Sequence, residues 1–336
     1  MRFPQKPICQ ATGFCRAPVL RRICGVVVAC LLATTALSVS AMTPRVATDI
    51  GPIHSLAARV MAGIGVPDLI IRHGASPHAY SLRPSEAAAL EKADLVFWVS
   101  EGLTPWLKRR LEILASKAQV VELMKADGTV ELPYREGATF ANHDDHDGID
   151  SHDGIDSHNG IDPHNGIDPH SWLDPENGKV WLSVMASELS KIDPSNADLY
   201  FQNAAAGTLE ISQAVARINE LLVPVHGVKF VVFHDAYQYF EQRFGISASG
   251  SILASDALAP NPARLIEIRG QVAELGVGCV FSEPQFNPTL VASVFQDAEV
   301  STAVIDSQGI ELELGMTLYP QVLENIAQEI VACAGG

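Results

Sequence analysis

The feature that most constrains the fold is a long, uninterrupted helical pattern near the middle of the chain. It begins at Asp193-Pro194-Ser195 and runs to about Leu222, before Pro224 stops it. Its apolar residues recur at helical spacing, at Leu199, Ala206, Leu209, Ile211, Val215, Ile218, Leu221 and Leu222. The pattern predicts one long helix that joins two halves of the chain and forms a stiff hinge between them.

Short β-branched runs precede helical patterns on both sides of this helix. The strand candidates are residues 45–50, 68–72, 95–100 and 119–123, and then 229–233, 246–253, 280–282 and 302–305. Such alternation is typical of a parallel sheet covered by helices. We therefore predict an α/β fold with two similar lobes. The expected boundaries are 42–192 for the N-terminal lobe, 193–224 for the linking helix and 225–336 for the C-terminal lobe.

The N-terminal segment has the pattern of an export signal. Residues 1–41 carry five basic groups and no acidic one, and Arg21 and Arg22 precede an apolar run that ends at Ser38-Val39-Ser40-Ala41. This pattern predicts cleavage after Ala41 and a periplasmic protein. A transmembrane anchor is the alternative, but the run is shorter than the roughly 20 residues that span a bilayer. Lipoprotein cleavage before Cys30 is the third possibility.

The charge of the remaining chain narrows the choice of partners. Without the five basic residues of the signal, 18 basic and 39 acidic residues remain, a net charge of −21. An acidic surface repels nucleic acid and anionic lipid and attracts cations. With 47% hydrophobic and 18% charged residues, the composition is that of a globular protein. We expect no nucleic-acid partner.

Two cysteines remain after removal of the signal segment. Four of the six lie within residues 1–41, which leaves Cys279 and Cys333. In an oxidising compartment two thiols most simply form a disulfide. Two buried free thiols, or zinc bound by two distant cysteines, are the alternatives.

A segment rich in histidine and aspartate, which contains a repeat, occupies residues 137–169. From His146 the chain repeats HDGIDS and then HNGIDP, a period of six that fits neither helix nor strand, and its Asp-Gly and Asn-Gly steps favour turns. We predict a low-complexity loop. Its histidines suit auxiliary capture of Zn²⁺, and inert expansion of a tolerated surface loop is the alternative. These auxiliary candidates are His143, His146, His152, His158 and His164.

Four further candidate ligands lie at predicted strand ends or just after the repeat. His78 follows the second strand, His170 closes the repeat, His234 ends the first strand of the second lobe, and Asp306 ends the last strand. Ligands of open parallel sheets gather at the carboxyl ends of the strands. Two groups from each lobe could thus converge in a cleft, although each one alone is more often structural. Glu283, also at a strand end, either supports a ligand histidine or serves in packing or as a cap.

Five motifs in order carry a resemblance to a known family. From about Pro44 to its C-terminus the sequence resembles the periplasmic metal-binding components of ABC importers, in the ZnuA-type zinc-uptake branch. The segments are HAYSLRPS at 78–85, DPHSWLDP at 168–175, FHDAY at 233–237, SEPQF at 282–286 and the pair Cys279 and Cys333. The resemblance implies a zinc-binding protein that is no enzyme and that serves an inner-membrane permease. Because the chain has no P-loop, we expect the ATPase to be a separate subunit. We expect a monomer.

The resemblance also implies a ligand set. The three zinc histidines of the family fall on His78, His170 and His234, and its carboxylate falls on Asp306. Manganese-selective relatives have a carboxylate where this chain has His234, and three imidazoles favour Zn²⁺ over Mn²⁺. Some zinc members carry a ligating glutamate where this chain has Pro77. The fourth position is therefore left to Asp306, to water or to a loop histidine.

Three rival functions remain open at this point. A Mn²⁺-binding homologue would have the same architecture. A zinc hydrolase would also use three histidines and an open position, but the sequence contains no HExxH motif and nothing that marks a general base. A periplasmic metal buffer or adhesin would have no permease partner.

Overall fold

The computed structural model describes residues 43–135, 140, 166–253, 262–286, 295 and 300–334. The predicted signal segment, its cleavage site and the loop histidines from His143 to His164 lie outside the described residues. Among the described residues, none of the helices is both long enough and apolar enough to cross a membrane.

Two parallel four-stranded sheets form the framework. The first contains β1 (Val46–Thr48), β2 (Asp68–Leu69), β3 (Leu95–Trp98) and β4 (Gln119–Glu122) in the order β2-β1-β3-β4. The second contains β5 (Phe230–His234), β6 (Gly250–Leu253), β7 (Cys279–Ser282) and β8 (Ser301–Val304) in the order β6-β5-β7-β8. Both sheets have the same strand order, and all their pairings are parallel. In each sheet the second strand lies on one side of the first, and the chain then crosses over to add the third and fourth strands on the other side.

Helices connect and cover these strands. They are α1 (Gly51–Val60), α2 (Pro84–Lys92), α3 (Pro105–Leu114), α4 (Pro175–Ile192), α5 (Ala197–Leu222), α6 (Gln238–Phe244), α7 (Pro262–Leu275) and α8 (Leu318–Ala334). Several begin with proline, whose fixed φ suits the first turn. At α4 the Asp174 carboxylate also accepts a hydrogen bond from the backbone N–H of Glu176, at 2.9 Å. The predicted α/β class with two similar sheets and a long helix is confirmed.

The long helix α5 buries one face, which includes Ile211, Ile218 and Leu222 of the apolar pattern. It follows a 3-10 turn at Pro194–Asn196, and Leu209, one of the apolar residues of the pattern, is 59% exposed. A Cβ atom on Gly207 would lie 2.9 Å from Leu182 Cδ1 and 3.0 Å from Arg59 Cγ, so only glycine permits this close approach of α4 and α1. Small residues thus define part of the contact face, which large apolar residues alone do not reveal. The buried positions are Tyr200, Ala204, Gly207, Ile211, Ala214, Ile218 and Leu222.

The C-terminal helix joins the two halves of the molecule. It packs against α1 and α5, and the Tyr319 backbone N–H donates to Ser55 Oγ at 2.9 Å. Near its end, Cys333 forms a disulfide with Cys279 on β7, as predicted. The helix that covers the first half is therefore bonded covalently to the second sheet.

Reduction of this disulfide should destabilise the protein without unfolding it. Cys279 and Cys333 are 54 residues apart. A cross-link that closes such a loop restricts the unfolded chain and thereby raises the free energy of unfolding by about 4 kcal/mol. Urea denaturation with and without reductant should show this difference in the free energy of unfolding. The double variant Cys279→Ala/Cys333→Ala serves as the control, because its midpoint should not respond to reductant. An unchanged midpoint in the wild-type protein would contradict a stabilising disulfide.

Candidate metal centre

Three histidines from distant parts of the chain meet at one point. His170 Nε2 lies 3.4 Å from His78 Nε2 and 3.4 Å from His234 Nε2, and one ring nitrogen of each histidine lies within 4.8 Å of the others. Zinc binds imidazole nitrogen at about 2.0–2.1 Å, so neighbouring corners of its tetrahedron are about 3.3–3.4 Å apart. The two separations from His170 therefore match the edges of a zinc tetrahedron, and the third histidine pair lies within 4.8 Å.

Different elements bring each histidine to this point. His234 is the last residue of β5, a central strand of the second sheet, and His170 immediately precedes a 3-10 turn at Ser171–Leu173. Both are buried, with exposed fractions of 2% and 5%. His78 is half-buried on the segment between β2 and α2, where the carbonyl of Pro77 accepts a hydrogen bond from Trp106 Nε1 at 2.7 Å. The site is thus buried at His170 and His234 and more open at His78.

A carboxylate supports His234 from behind. Strands β5 and β7 pair Phe230 with Cys279 and Val231 with Val280, and this register continued by three residues places Glu283 opposite His234. Glu283 Oε1 makes a close hydrogen-bonding contact with His234 Nδ1. With Nδ1 held by an acceptor, the Nε2 lone pair is available to a metal. Of the two roles considered for Glu283, this contact favours support of a candidate ligand histidine.

A second carboxylate supports His170 in the same way. Asp168 Oδ1 accepts hydrogen bonds from the backbone N–H of His170 at 3.0 Å and lies 2.7 Å from its ring Nδ1. Burial raises the pKa of Asp168 to about 7, although the His170 N–H and the Arg135 charge act in the opposite direction. A cation bound by the same imidazole would favour the ionised carboxylate. Sequence reasoning assigned no role to Asp168, although the Asp-Pro-His spacing was the available signal.

Asp306 does not belong to this group of donor atoms. Its Oδ1 accepts hydrogen bonds from the backbone N–H groups of Gln308 at 2.8 Å and Gly309 at 2.9 Å, and its Oδ2 accepts one from Ile310. The carboxylate therefore stabilises the turn that follows β8. Among the described residues, the three histidines alone form the cluster that contains them. The assignment of Asp306 as fourth ligand remains a prediction.

Comparison with known proteins agrees with this architecture. Residues 46–333 match the family model described as "Zinc-uptake complex component A periplasmic". The chain is 39% identical over 303 residues to the "High-affinity zinc uptake system protein ZnuA" of Brucella abortus (strain 2308), covering 86% of this chain and 91% of the relative. It is 37% identical over 317 residues to the protein of the same name from Paracoccus denitrificans (strain Pd 1222), covering 92% and 97%.

A solved structure shows the same fold. The crystal structure of a ZnuA protein superposes with a TM-score of 0.70 at 20% identity, covering 87% of this chain and 99% of that one. The fold and the three-histidine centre define a two-lobed metal-binding protein of the solute-binding class. The chain belongs to the ZnuA family, the periplasmic component of zinc-uptake systems.

The two supporting carboxylates should matter to metal affinity almost as much as ligands do. Removal of the group that hydrogen-bonds the other ring nitrogen of a metal-binding histidine typically weakens metal binding by about 10–100-fold. We expect Glu283→Ala and Asp168→Ala to lower Zn²⁺ affinity by such factors, and Glu283→Gln to have a smaller effect because its amide oxygen still accepts from Nδ1. Competition with a chromophoric chelator would measure this.

A carboxylate at the opposite end of the first sheet provides the control. Asp94 Oδ2 accepts a hydrogen bond from the Arg45 backbone N–H at 2.9 Å, far from the carboxyl ends of the strands. Asp94→Ala should leave zinc affinity unchanged. Equal losses in all the alanine variants would mean that Glu283 and Asp168 act only on the stability of the fold.

Proposed function

We propose that this chain binds one Zn²⁺ ion through His78, His170 and His234 in the periplasm and delivers it to an inner-membrane ABC permease. The carrying observation is the separation of 3.4 Å from His170 Nε2 to the Nε2 atoms of His78 and of His234, which suits tetrahedral zinc. Membership of the zinc-uptake family supports the same cargo and compartment. The chain acts as a monomer after cleavage behind Ala41, and a separate ATPase subunit drives transport.

The donor set favours zinc over manganese. Three neutral imidazoles are borderline ligands that suit Zn²⁺, whereas Mn²⁺ favours oxygen-rich sites of higher coordination number. The two carboxylates nearest to the site, those of Asp168 and Glu283, are turned to the Nδ1 atoms of the histidines. They therefore raise the basicity of the imidazoles instead of supplying oxygen ligands.

The fourth position accounts for release as well as binding. Water or Asp306 would complete the tetrahedron, and Asp306 would first have to exchange a bond with its own turn for one with the metal. An exchangeable fourth ligand allows the ion to leave when the permease is engaged. The histidines of the repeat, His143 to His164, act as an auxiliary collector of zinc for this site.

Calorimetric titration of the chelator-stripped protein tests the assignment of the site. We expect one tight site, and each of His78→Ala, His170→Ala and His234→Ala should weaken it by more than about 100-fold, because losing a ligand exceeds the effect of losing its support. His226→Ala is the matched control, since this exposed histidine contacts only the Gly245 carbonyl, at 3.1 Å, among the contacts described. A variant lacking residues 143–165 should retain the tight site. Loss of tight binding in that folded variant would show that the repeat supplies an essential ligand.

Zinc affinity should fall steeply with acidification. Only a neutral imidazole ligates, and with an ordinary pKa of about 6.5 its neutral fraction drops about tenfold between pH 7.5 and 5.5. Three such ligands predict a loss on the order of a thousandfold over that interval. Chelator competition at each pH measures it. An affinity that does not change with pH would rule out an all-histidine core.

A hydrolase remains the alternative from another functional class. The relatives are named as uptake components, and a three-histidine site with an exchangeable position is the feature shared with catalytic zinc. Zinc-loaded protein should therefore be assayed against ester, phosphate and lactam substrates, with His234→Ala as the inactive control. Turnover that disappears in this variant would overturn the assignment as a transport component.

A further inference from the structure

A buried cluster of three charged residues lies next to the metal centre but takes no part in it. Arg135 Nε lies 3.0 and 3.1 Å from the two carboxylate oxygens of Asp235, and its Nη1 and Nη2 lie 2.6 and 3.1 Å from those of Glu241. Both carboxylates are buried. One guanidinium thus binds two carboxylates, each through both oxygens, which is the geometry that arginine alone provides.

The cluster connects the segments that carry two of the zinc ligands. Asp235 directly follows His234 at the end of β5. On the other side, the segment that leads to Arg135 is paired with the segment that leads to His170. The Tyr134 backbone N–H donates to the Gly166 carbonyl at 3.2 Å, and the Asp168 N–H donates to the Leu132 carbonyl at 2.8 Å.

Additional contacts hold the guanidinium in place. Its central carbon lies 3.7 Å from the centre of the Phe140 ring, and the Phe140 backbone N–H donates to the Ser249 carbonyl at 3.0 Å. Glu241 Oε2 also accepts the backbone N–H of Ala248 at 3.0 Å. The arginine is therefore held between a segment of the first half and the helix and strands of the second.

We propose that Arg135 is a positioning residue for the metal centre, and that its bonds to Asp235 and Glu241 hold the His170 and His234 segments at the separation that zinc requires. This inference rests on the proposed function, since it assigns a role around the same three histidines. Arg135 does not touch the ion. It keeps two ligands from different halves of the molecule preorganised, so that metal binding need not spend free energy on bringing them together.

A second ion pair between the halves provides a matched control. Arg243 Nε and Nη2 lie 2.8 and 2.7 Å from the two oxygens of Asp174, so this pair has similar bidentate geometry. Asp174 caps helix α4 and neither partner is adjacent to a zinc histidine in sequence. If every ion pair between the two halves supported the metal centre equally, loss of Arg243 would weaken zinc binding as much as loss of Arg135.

The test compares Arg135→Met, Arg135→Lys and Arg243→Met in the mature protein. We expect Arg135→Met to weaken zinc binding by about 10–100-fold, the range for outer residues of metal sites, with faster dissociation. Arg135→Lys should not restore affinity, because an ammonium group cannot bind both carboxylates in this manner. Arg243→Met should keep wild-type affinity. Substitution by Co²⁺ adds a spectroscopic readout, since displaced histidines alter the d–d bands of a tetrahedral site whereas a change in global stability does not.

Arg135→Met leaves the carboxylates of Asp235 and Glu241 buried without their partner, which could prevent folding. A variant in which all three charges are removed keeps the proposal testable in that case. Arg135→Met/Asp235→Asn/Glu241→Gln removes all three charges at similar volume and should fold with the same loss of affinity. Wild-type affinity and Co²⁺ spectra in the folded Arg135 variants would overturn the proposal. Because His234→Ala is titrated in parallel, failure of the wild-type protein to bind zinc at the histidines would instead refute the proposed function.

Discussion

The convergence of three imidazoles, with His170 Nε2 3.4 Å from the Nε2 atoms of both His78 and His234, is the constraint on which the rest of the structure depends. Two of these rings are held at the nitrogen that faces away from the cluster. Glu283 and Asp168 hold His234 and His170 in this way, both at Nδ1. Each supporting carboxylate orients an imidazole ring and raises its basicity. The same hydrogen bonds that hold the rings in place therefore also increase their affinity for the ion.

The two sheets explain why such an arrangement is possible. Parallel strands end at one edge, and the repeated order of the two sheets supplies two such edges. His234 and Glu283 lie at the ends of neighbouring strands of one sheet, whereas His78 follows a strand of the other. Trp172 Nε1 donates to the Ser307 carbonyl at 2.8 Å and ties the turn after His170 to the second half. Ligands from distant parts of the chain thus reach one point through short connections from rigid elements.

The sequence predicted the eight described strands, because strand composition is a local property. The three histidines that converge were implied by the family resemblance of their flanking motifs, since spacing alone left each of them more often structural. No role was predicted for Asp168, although its partner His170 is only two residues away. None was predicted for Arg135, since its partners Asp235 and Glu241 are 100 and 106 residues away. The contact of α5 with α4 and α1 at Gly207 was not predicted, because it depends on the absence of a side chain. For Asp306 the sequence correctly indicated a strand end, but its hydrogen bonds to the following turn are invisible in any pattern.

Zinc K-edge X-ray absorption on protein loaded with one equivalent of Zn²⁺ would test the central claim most directly. The account predicts three imidazole nitrogens at about 2.0–2.1 Å and one further light ligand, in wild-type protein and in the variant lacking residues 143–165 alike. A spectrum that loses imidazole ligands on this deletion, or one that shows five or six oxygen-dominated ligands in the wild-type protein, would contradict a zinc centre built on His78, His170 and His234.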